Sequence, residues 1–317
     1  MRLTALLPLL LGGLLLGPTE PHTPPEEGPA LPPSRGVVRT LREIRSEEPG
    51  PLLVRLRTRA EQMRTGVAPA EEPRLRRELT WLVQALALRR DAAAFPWEAL
   101  LQEWSTRRPY WFGASLAEAA RTALGRGVLP LVRELDQRAT QWQMRLVLHE
   151  ILWELDPEEA LLRATRLLFQ EKPRSPNDLL HAEFLGRVLV GQPDPRRHPL
   201  ETVQRLRPLV DELFRRAVRN TGNRLPEYAW RQAIRGVALR GDRGAVPELV
   251  AALMAEARNV LARKQALLSL LEVAPDFTLR EVLPRLQADP AVEPVWAGFL
   301  EEIRRRYGPA EPAASRA

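Results

Sequence analysis

The sequence predicts an all-α fold: an α-solenoid of about seven stacked helix pairs. Three observations predict it. A proline-marked phrase recurs at Val128-Leu129-Pro130-Leu131-Val132, Leu206-Arg207-Pro208-Leu209-Val210, Gly244-Ala245-Val246-Pro247-Glu248-Leu249 and Val282-Leu283-Pro284-Arg285-Leu286. Its prolines are 78, 39 and 37 residues apart, and 78 is twice 39. A fixed period near 40 in a helical chain is the mark of stacked two-helix units. Apolar residues recur at helical spacing along the chain, and no β-branched run alternates with polar residues over strand length. Helix-start chemistry completes the pattern: Asp156-Pro157-Glu158-Glu159, Ser175-Pro176-Asn177-Asp178 and Asp289-Pro290 each offer an N-cap followed by a proline at the first helical position.

From the N-terminus, Arg2 precedes an apolar run, Leu3 to Leu16, interrupted by Pro8, Gly12 and Gly13. Fourteen such residues fall short of the ~20 that span a bilayer, and the pattern matches an export signal. Gly17 and Thr19 are the small residues before Glu20, but no A-x-A site follows the run. Residues 1–19 therefore read as a signal peptide, with an uncleaved membrane anchor over 3–16 as the alternative. Residues 17–34 carry seven prolines, so 20–34 reads as an extended linker with little to bury. The folded domain is expected over 35–307 and a disordered tail over 308–317. The location that follows is periplasmic or secreted. The chain has no cysteine, so its stability must come from packing alone.

Within the domain the expected pairs are 51–65 with 73–90, 95–106 with 114–125, and 128–136 with 139–155. They continue as 157–171 with 176–191, 199–219 with 226–240, 244–256 with 259–273, and 277–287 with 291–306, after a capping helix at 37–47. The second helices carry the heavier apolar load. In 139–155, Trp142, Leu146, His149 and Trp153 share one face, and Leu148, Ile151, Leu152 and Leu155 share another. A helix apolar on two faces must be covered on two sides.

The phrase at 244–253, followed by Val260 to Val273 with Ala262, Ala266, Leu267, Leu270 and Leu271, resembles a HEAT repeat. Val260-Leu261-Ala262-Arg263 is a loose version of the Val-Arg opening usual in that family's second helix. The likeness is good over 244–273, fair over 128–155 and 277–306, and weak before residue 95. It implies a HEAT-like α-α superhelix that binds other macromolecules, and no enzyme activity by itself.

Formal net charge is +7, and Lys172 and Lys264 are the only lysines. From Arg205 to Arg243 ten arginines face four acids, whereas from Arg133 to Glu171 eight acids face five arginines. Two constellations could bind partners. The first lies in Phe95–Phe112, which holds six of the eighteen aromatic residues. Trp104, Arg107, Arg108, Tyr110 and Trp111 are its candidate partner-binding residues, the last two expected in the turn before the next helix, since aromatic and arginine side chains make interface hot spots. The second is Arg215, Arg216 and Arg219 near one helix end, with Arg231 and Arg235 on the next helix. Opposed across a concave surface, these would hold a polyanion. Against each stands a plainer reading: buried core for the aromatics and a solvated face for the arginines.

Catalytic and metal patterns fail on inspection. His149-Glu150 opens like a zincin helix, but Trp153 stands where the second histidine belongs. His181-Ala182-Glu183 lacks the cysteines of a zinc deaminase. Gly113-Ala114-Ser115-Leu116-Ala117 lacks the strand a nucleophile elbow requires. No catalytic residue, metal ligand set or cofactor is assigned. The expected function is a non-enzymatic exported scaffold or adaptor for a protein partner. The alternative is a binder of nucleic acid, anionic lipid or anionic glycan, and an enzyme is the least favoured class. Membrane contact is expected only if the N-terminal segment stays uncleaved. The loops at 172–178 and 191–199 depart from the repeat and are further candidates for specificity.

Overall fold

The computed structural model describes residues 43–307, except 108, 176, 220–224, 256–259 and 289–293. The export segment, the linker, the tail, Arg108, Pro176 and the Asp289-Pro290 start lie outside the described residues. Of the helix expected over 37–47, residues 43–46 are described and helical, and Ile44 is buried.

The described chain is all-helical, with no strand among its described residues. The first pair is α1 (Pro49–Thr65) and α2 (Glu72–Ala87). The next are α3 (Trp97–Trp104) with α4 (Tyr110–Leu124), and α5 (Leu129–Arg138) with α6 (Trp142–Leu155). Then come α7 (Pro157–Phe169) and α8 (Leu179–Glu183), the latter continuing as a π-helical stretch, Phe184–Leu189. They are followed by α9 (Leu200–Arg219) with α10 (Glu227–Arg240), and α11 (Val246–Met254) with α12 (Val260–Val273). The chain closes with α13 (Pro275–Phe277), a π-helical stretch Thr278–Val282, α14 (Leu283–Ala288) and α15 (Pro294–Tyr307).

Packing follows chain order. The second helices lie on one another in succession: α2 on α4, α4 on α6, α6 on α8, α8 on α10, and α10 on α12. Among the first helices, α7 packs on α9 and α9 on α11. The two-faced helix α6 is covered as its sequence requires, by α4, α5, α7 and α8. It buries Met144, Leu146, Val147, Leu148, His149, Ile151, Leu152 and Trp153. Burial of each large apolar side chain is worth about 1.5–3 kcal/mol, the main stabilising contribution available. Polar ties supplement it: Ser269 Oγ on α12 donates to the Ile234 carbonyl on α10 (3.1 Å).

Three local expectations are corrected. Ser175 does not cap α8. Asp178 does, its carboxylate accepting from the Leu180 amide at 3.0 Å, so the helix starts at Leu179. Tyr110, Trp111 and Phe112 are not in a turn but form the first turn of α4, with Pro109 as its N-cap. The marker prolines play two roles rather than one. Pro130 and Pro247 stand in the first turns of α5 and α11, where a missing N–H costs nothing. Pro208 sits inside α9, on its exposed side. Pro284 is the second residue of α14, one residue beyond the π-helical stretch, whose wider turn accommodates a ring that an α-helix interior resists. By contrast, Asp156 caps α7 as expected, accepting from the Glu159 amide at 3.2 Å, with Pro157 first in the helix.

Candidate functional site

The aromatic segment folds mostly into the core. Trp97, Leu100, Leu101 and Trp104 are the buried face of α3, as the seven-residue spacing of the two tryptophans requires. The Trp97 indole donates to the Ala92 carbonyl at 2.7 Å. Trp104 is 1% exposed and meets Phe112 edge-on at 5.0 Å between centroids. Trp104 is therefore a packing residue and presents no side chain to a partner, which corrects its assignment to a binding surface. A Cβ at Gly113 would lie 2.7 Å from the Trp104 carbonyl oxygen. Glycine there lets α4 approach α3, a packing reason for a residue that otherwise suggests an elbow. Trp111 is half-buried, with the Arg76 guanidinium 5.0 Å from its ring centroid. Tyr110 is half-exposed. Arg107 is exposed and pairs with Glu103 one turn back, at 3.3 Å. The aromatic candidates thus divide between core and rim and form no exposed cluster.

The five arginines of the basic stretch separate into two groups. Those on α9 are engaged. Arg215 pairs with Asp242 (3.1 Å), and Arg219 with Glu212 (2.7 Å) and Glu248 (3.2 Å). The Arg216 guanidinium lies 4.0 Å from the Phe169 ring centroid. They brace α9 against the chain between α10 and α11 and against α7. A sixth arginine that sequence reasoning passed over is the most deeply bound. Arg240 Nε donates to Asp211 (2.6 Å), and its Nη1 to the carbonyls of Val190 (2.9 Å) and Gln192 (2.6 Å). Burial lowers its pKa, against the pull of Asp211.

Arg231 and Arg235 are different. They lie with Tyr228 and Leu239 on the partly exposed side of α10, spaced three and four residues apart. Among the described residues neither guanidinium has a carboxylate within ion-pair distance. The Nε atom of each is buried without a hydrogen-bond partner. Beside them Tyr228 is 39% and Leu239 48% exposed.

The corresponding sides of the neighbouring second helices are charged but neutralised. Arg121 on α4 pairs with Glu118 (2.9 Å) and reaches Glu154 on α6 (2.6 Å). Arg187, in the π-helical stretch, pairs with Glu150 on α6 (3.0 Å), and Arg197 with Glu154 (2.6 Å). Partial burial raises the pKa of Glu150 more than Arg187 lowers it. On α12, burial likewise raises that of Glu272, opposed by the field of Arg235. The charge ladder thus closes on itself from α4 to α8 and is left open on α10. The signal was present in the sequence as polar residues at three- and four-residue spacing on otherwise apolar helices. Which of them pair depends on helix-to-helix register, which a single helix pattern does not carry.

Among the described residues no three histidine, aspartate or glutamate side chains converge to hold a metal ion. His149 is enclosed beside Asp136 (3.7 Å), while Glu150 points to Arg187. His181 Nε2 lies 2.9 Å from the Leu167 carbonyl, and its Nδ1 3.3 Å from Asp178, fastening α8 to α7. Ser115 Oγ donates to the Trp111 carbonyl (3.0 Å) within α4. No described helix is long and apolar enough to cross a membrane. No protein-family model, curated protein or solved structure matches the chain.

Proposed function

We propose that the chain is a non-enzymatic, exported helical-repeat protein of the HEAT-like type, its pairs stacked into a superhelix, and that it serves as a scaffold for a protein partner. The succession of second helix on second helix supports the stacking. The observation that carries the binding is the pair of guanidiniums without an ion-pair partner among the described residues, Arg231 and Arg235, on the partly exposed side of α10. Buried donors without acceptors are costly to leave unmade, so a ligand that supplies acceptors there recovers that cost. Tyr228 and Leu239 place apolar area beside the charges. The partner that fits is a protein segment bearing two carboxylates next to an apolar side chain. Export rests on Arg2 and the run Leu3–Leu16; membrane retention follows if that run stays uncleaved.

The polyanion reading draws on the same two arginines, because Arg215, Arg216 and Arg219 are already engaged. Two free cations release about two counterions, so DNA or heparin would bind weakly, with a shallow salt dependence.

The test is capture from an envelope fraction on the immobilised full chain. A partner held by the wild type is expected to fall at least tenfold with Arg231→Glu/Arg235→Glu, since each charged hydrogen bond contributes about 1.5–3 kcal/mol. It should be retained by Arg285→Glu on α14. Equal capture by all three proteins overturns the assignment to α10, and a captured polyanion in place of a protein replaces the first reading by the second.

A further inference from the structure

A second feature lies on the other side of α6 from Glu150 and Glu154, between the end of α5, α6, α7 and the chain from 170 to 178. It is a cleft of about 350 Å³. Four arginines line it: Arg145 from α6, Arg163 and Arg166 from α7, and Arg174 from the following connection. Only two carboxylates, Asp136 and Glu171, line it with them.

These charges are unequally satisfied. Arg145 forms two hydrogen bonds to Glu171, at 2.9 and 3.1 Å. Arg163 pairs with Asp136 and, at 2.9 Å, with Glu159. Glu159 also serves Arg133 from outside the cleft. Among the described residues Arg174 donates from its guanidinium only to the Thr140 carbonyl (3.0 Å). Arg166 is exposed and has no partner among the described residues. Two positive charges, those of Arg166 and Arg174, therefore stand uncompensated by any carboxylate at the opening. Deeper in, the buried Arg145 Nε faces Asp136 Oδ1 at 3.9 Å, too far for a hydrogen bond, and has no hydrogen-bond acceptor among the described residues. His149, 1% exposed, lines the cleft with neither ring nitrogen hydrogen-bonded. Asp136 Oδ1 lies 3.7 Å from His149 Nε2 and 3.9 Å from Arg145 Nε and accepts no hydrogen bond from either. Buried groups of this kind are rare in native proteins unless something else satisfies them.

We propose that this cleft binds a phosphate group, a tetrahedral oxyanion held by Arg166 and Arg174 at its opening and by Arg145 and His149 within. Guanidinium forks are suited to phosphate oxygens. Two uncompensated cations match a dianion. Donors reaching in from α6, α7 and the 170–178 connection suit a tetrahedral group better than a flat carboxylate. An adjoining cleft of about 240 Å³ shares Arg145, Glu171 and Arg174, leaving room for whatever the phosphate is attached to. The loop at 172–178, which breaks the repeat, contributes Arg174 to the site on this reading.

The test is calorimetric titration of the full chain at constant ionic strength with inorganic phosphate, O-phosphoserine and succinate. Phosphate or phosphoserine is expected to bind with Kd below about 1 mM, and succinate at least tenfold more weakly. Arg166→Gln and Arg174→Gln, both exposed changes that leave the core untouched, should each weaken binding about tenfold. Arg138→Gln, on the exposed end of α5, should not. The His149 imidazole resonances should shift on saturation while those of His198 stay. Tighter binding of phosphoserine than of phosphate points to a phosphorylated partner, and the reverse to the free ion; both uphold the site. Succinate binding as well as phosphate, or equal affinity in wild type, Arg166→Gln and Arg174→Gln, overturns it.

Discussion

His149 shows how one enclosed side chain couples the fold to acidity. It is 1% exposed, edge-on to the Phe184 ring at 5.0 Å between centroids. Burial lowers its pKa from 6.5 to about 4, with Arg145 and Arg163 acting in the same direction and Asp136 and Glu171 against it. The imidazole is thus neutral when folded, whereas the unfolded chain takes up its proton near pH 6.5. The unfolded state binds more protons between those values, so stability from this residue is complete above about pH 7. It is lost as pH falls through 6.5 toward 4, by about 3 kcal/mol in all. His149→Gln removes this component. Denaturant unfolding at pH 7.5 and 4.5 should show wild type losing about 2.5 kcal/mol more than the variant over that interval. An equal loss in both proteins would show that His149 is accessible to protons in the folded state. The sequence placed His149 on an apolar face of its helix and excluded a zinc motif. It did not reveal Asp136, Arg145, Arg163 and Glu171 around the ring, because three of those four come from outside α6.

At the scale of elements, the distance between α9 and α10 is set by a residue with no side chain. A Cβ at Gly236 would stand 2.1 Å from the Phe214 ring, and Phe214 is fully buried, so the ring has nowhere to retreat. Gly236→Ala must push the two helices apart or force Phe214 off its rotamer. The expected cost is about 1–3 kcal/mol, even though alanine favours the helix by roughly 1 kcal/mol; a urea midpoint equal to wild type would sink this account. Gly236 falls within a helix pattern, and nothing local distinguishes it from a tolerated helical glycine. Helix existence was far more legible. α1 to α12 fall close to their expected spans, α8 once its π-helical continuation to Leu189 is counted, because apolar spacing and caps such as Asp156 are local signals. The prolines were legible only in part. Pro130 and Pro247 open helices, but Pro208 lies on the exposed side of α9 and Pro284 behind a π-helical turn. A proline in the sequence marks a missing donor, and both a helix start and a widened turn answer that need. The candidate site was read least well. Trp104 and Arg215 have the right chemistry for an interface, but the packing of α4 on α3 and the position of Asp242 engage them internally. Arg231 and Arg235 form no ion pair among the described residues, because Glu272 on α12 comes near enough for the field of Arg235 to act on it but not near enough to pair.

For the whole molecule, the repeat-stack reading has a consequence that a single cooperative core does not share. If each pair rests mainly on its neighbours, removing the last one exposes the end of α12 and leaves the rest in place. The ties from α15 back to α12 are local: Trp296 is buried, with Arg263 5.2 Å from its ring centroid, and Lys264 lies 4.9 Å from that of Phe299. A chain ending at Ala274 should therefore keep its mean residue ellipticity and melt only several degrees lower, since about 1 kcal/mol corresponds to 2–4 °C in a chain of this size. It should also keep the partner affinity carried by Arg231 and Arg235 and the phosphate affinity carried by Arg166 and Arg174, because neither pair touches the deleted helices. Exposed apolar area at the new end would aggregate the truncated chain, so Leu268→Lys, on the half-buried side of α12, serves as the solubilising companion. Collapse of helicity in the soluble truncated protein would show that the helices fold as one unit and would remove the repeat stack. Retained helicity with lost partner affinity would instead move the binding surface from α10 toward α15.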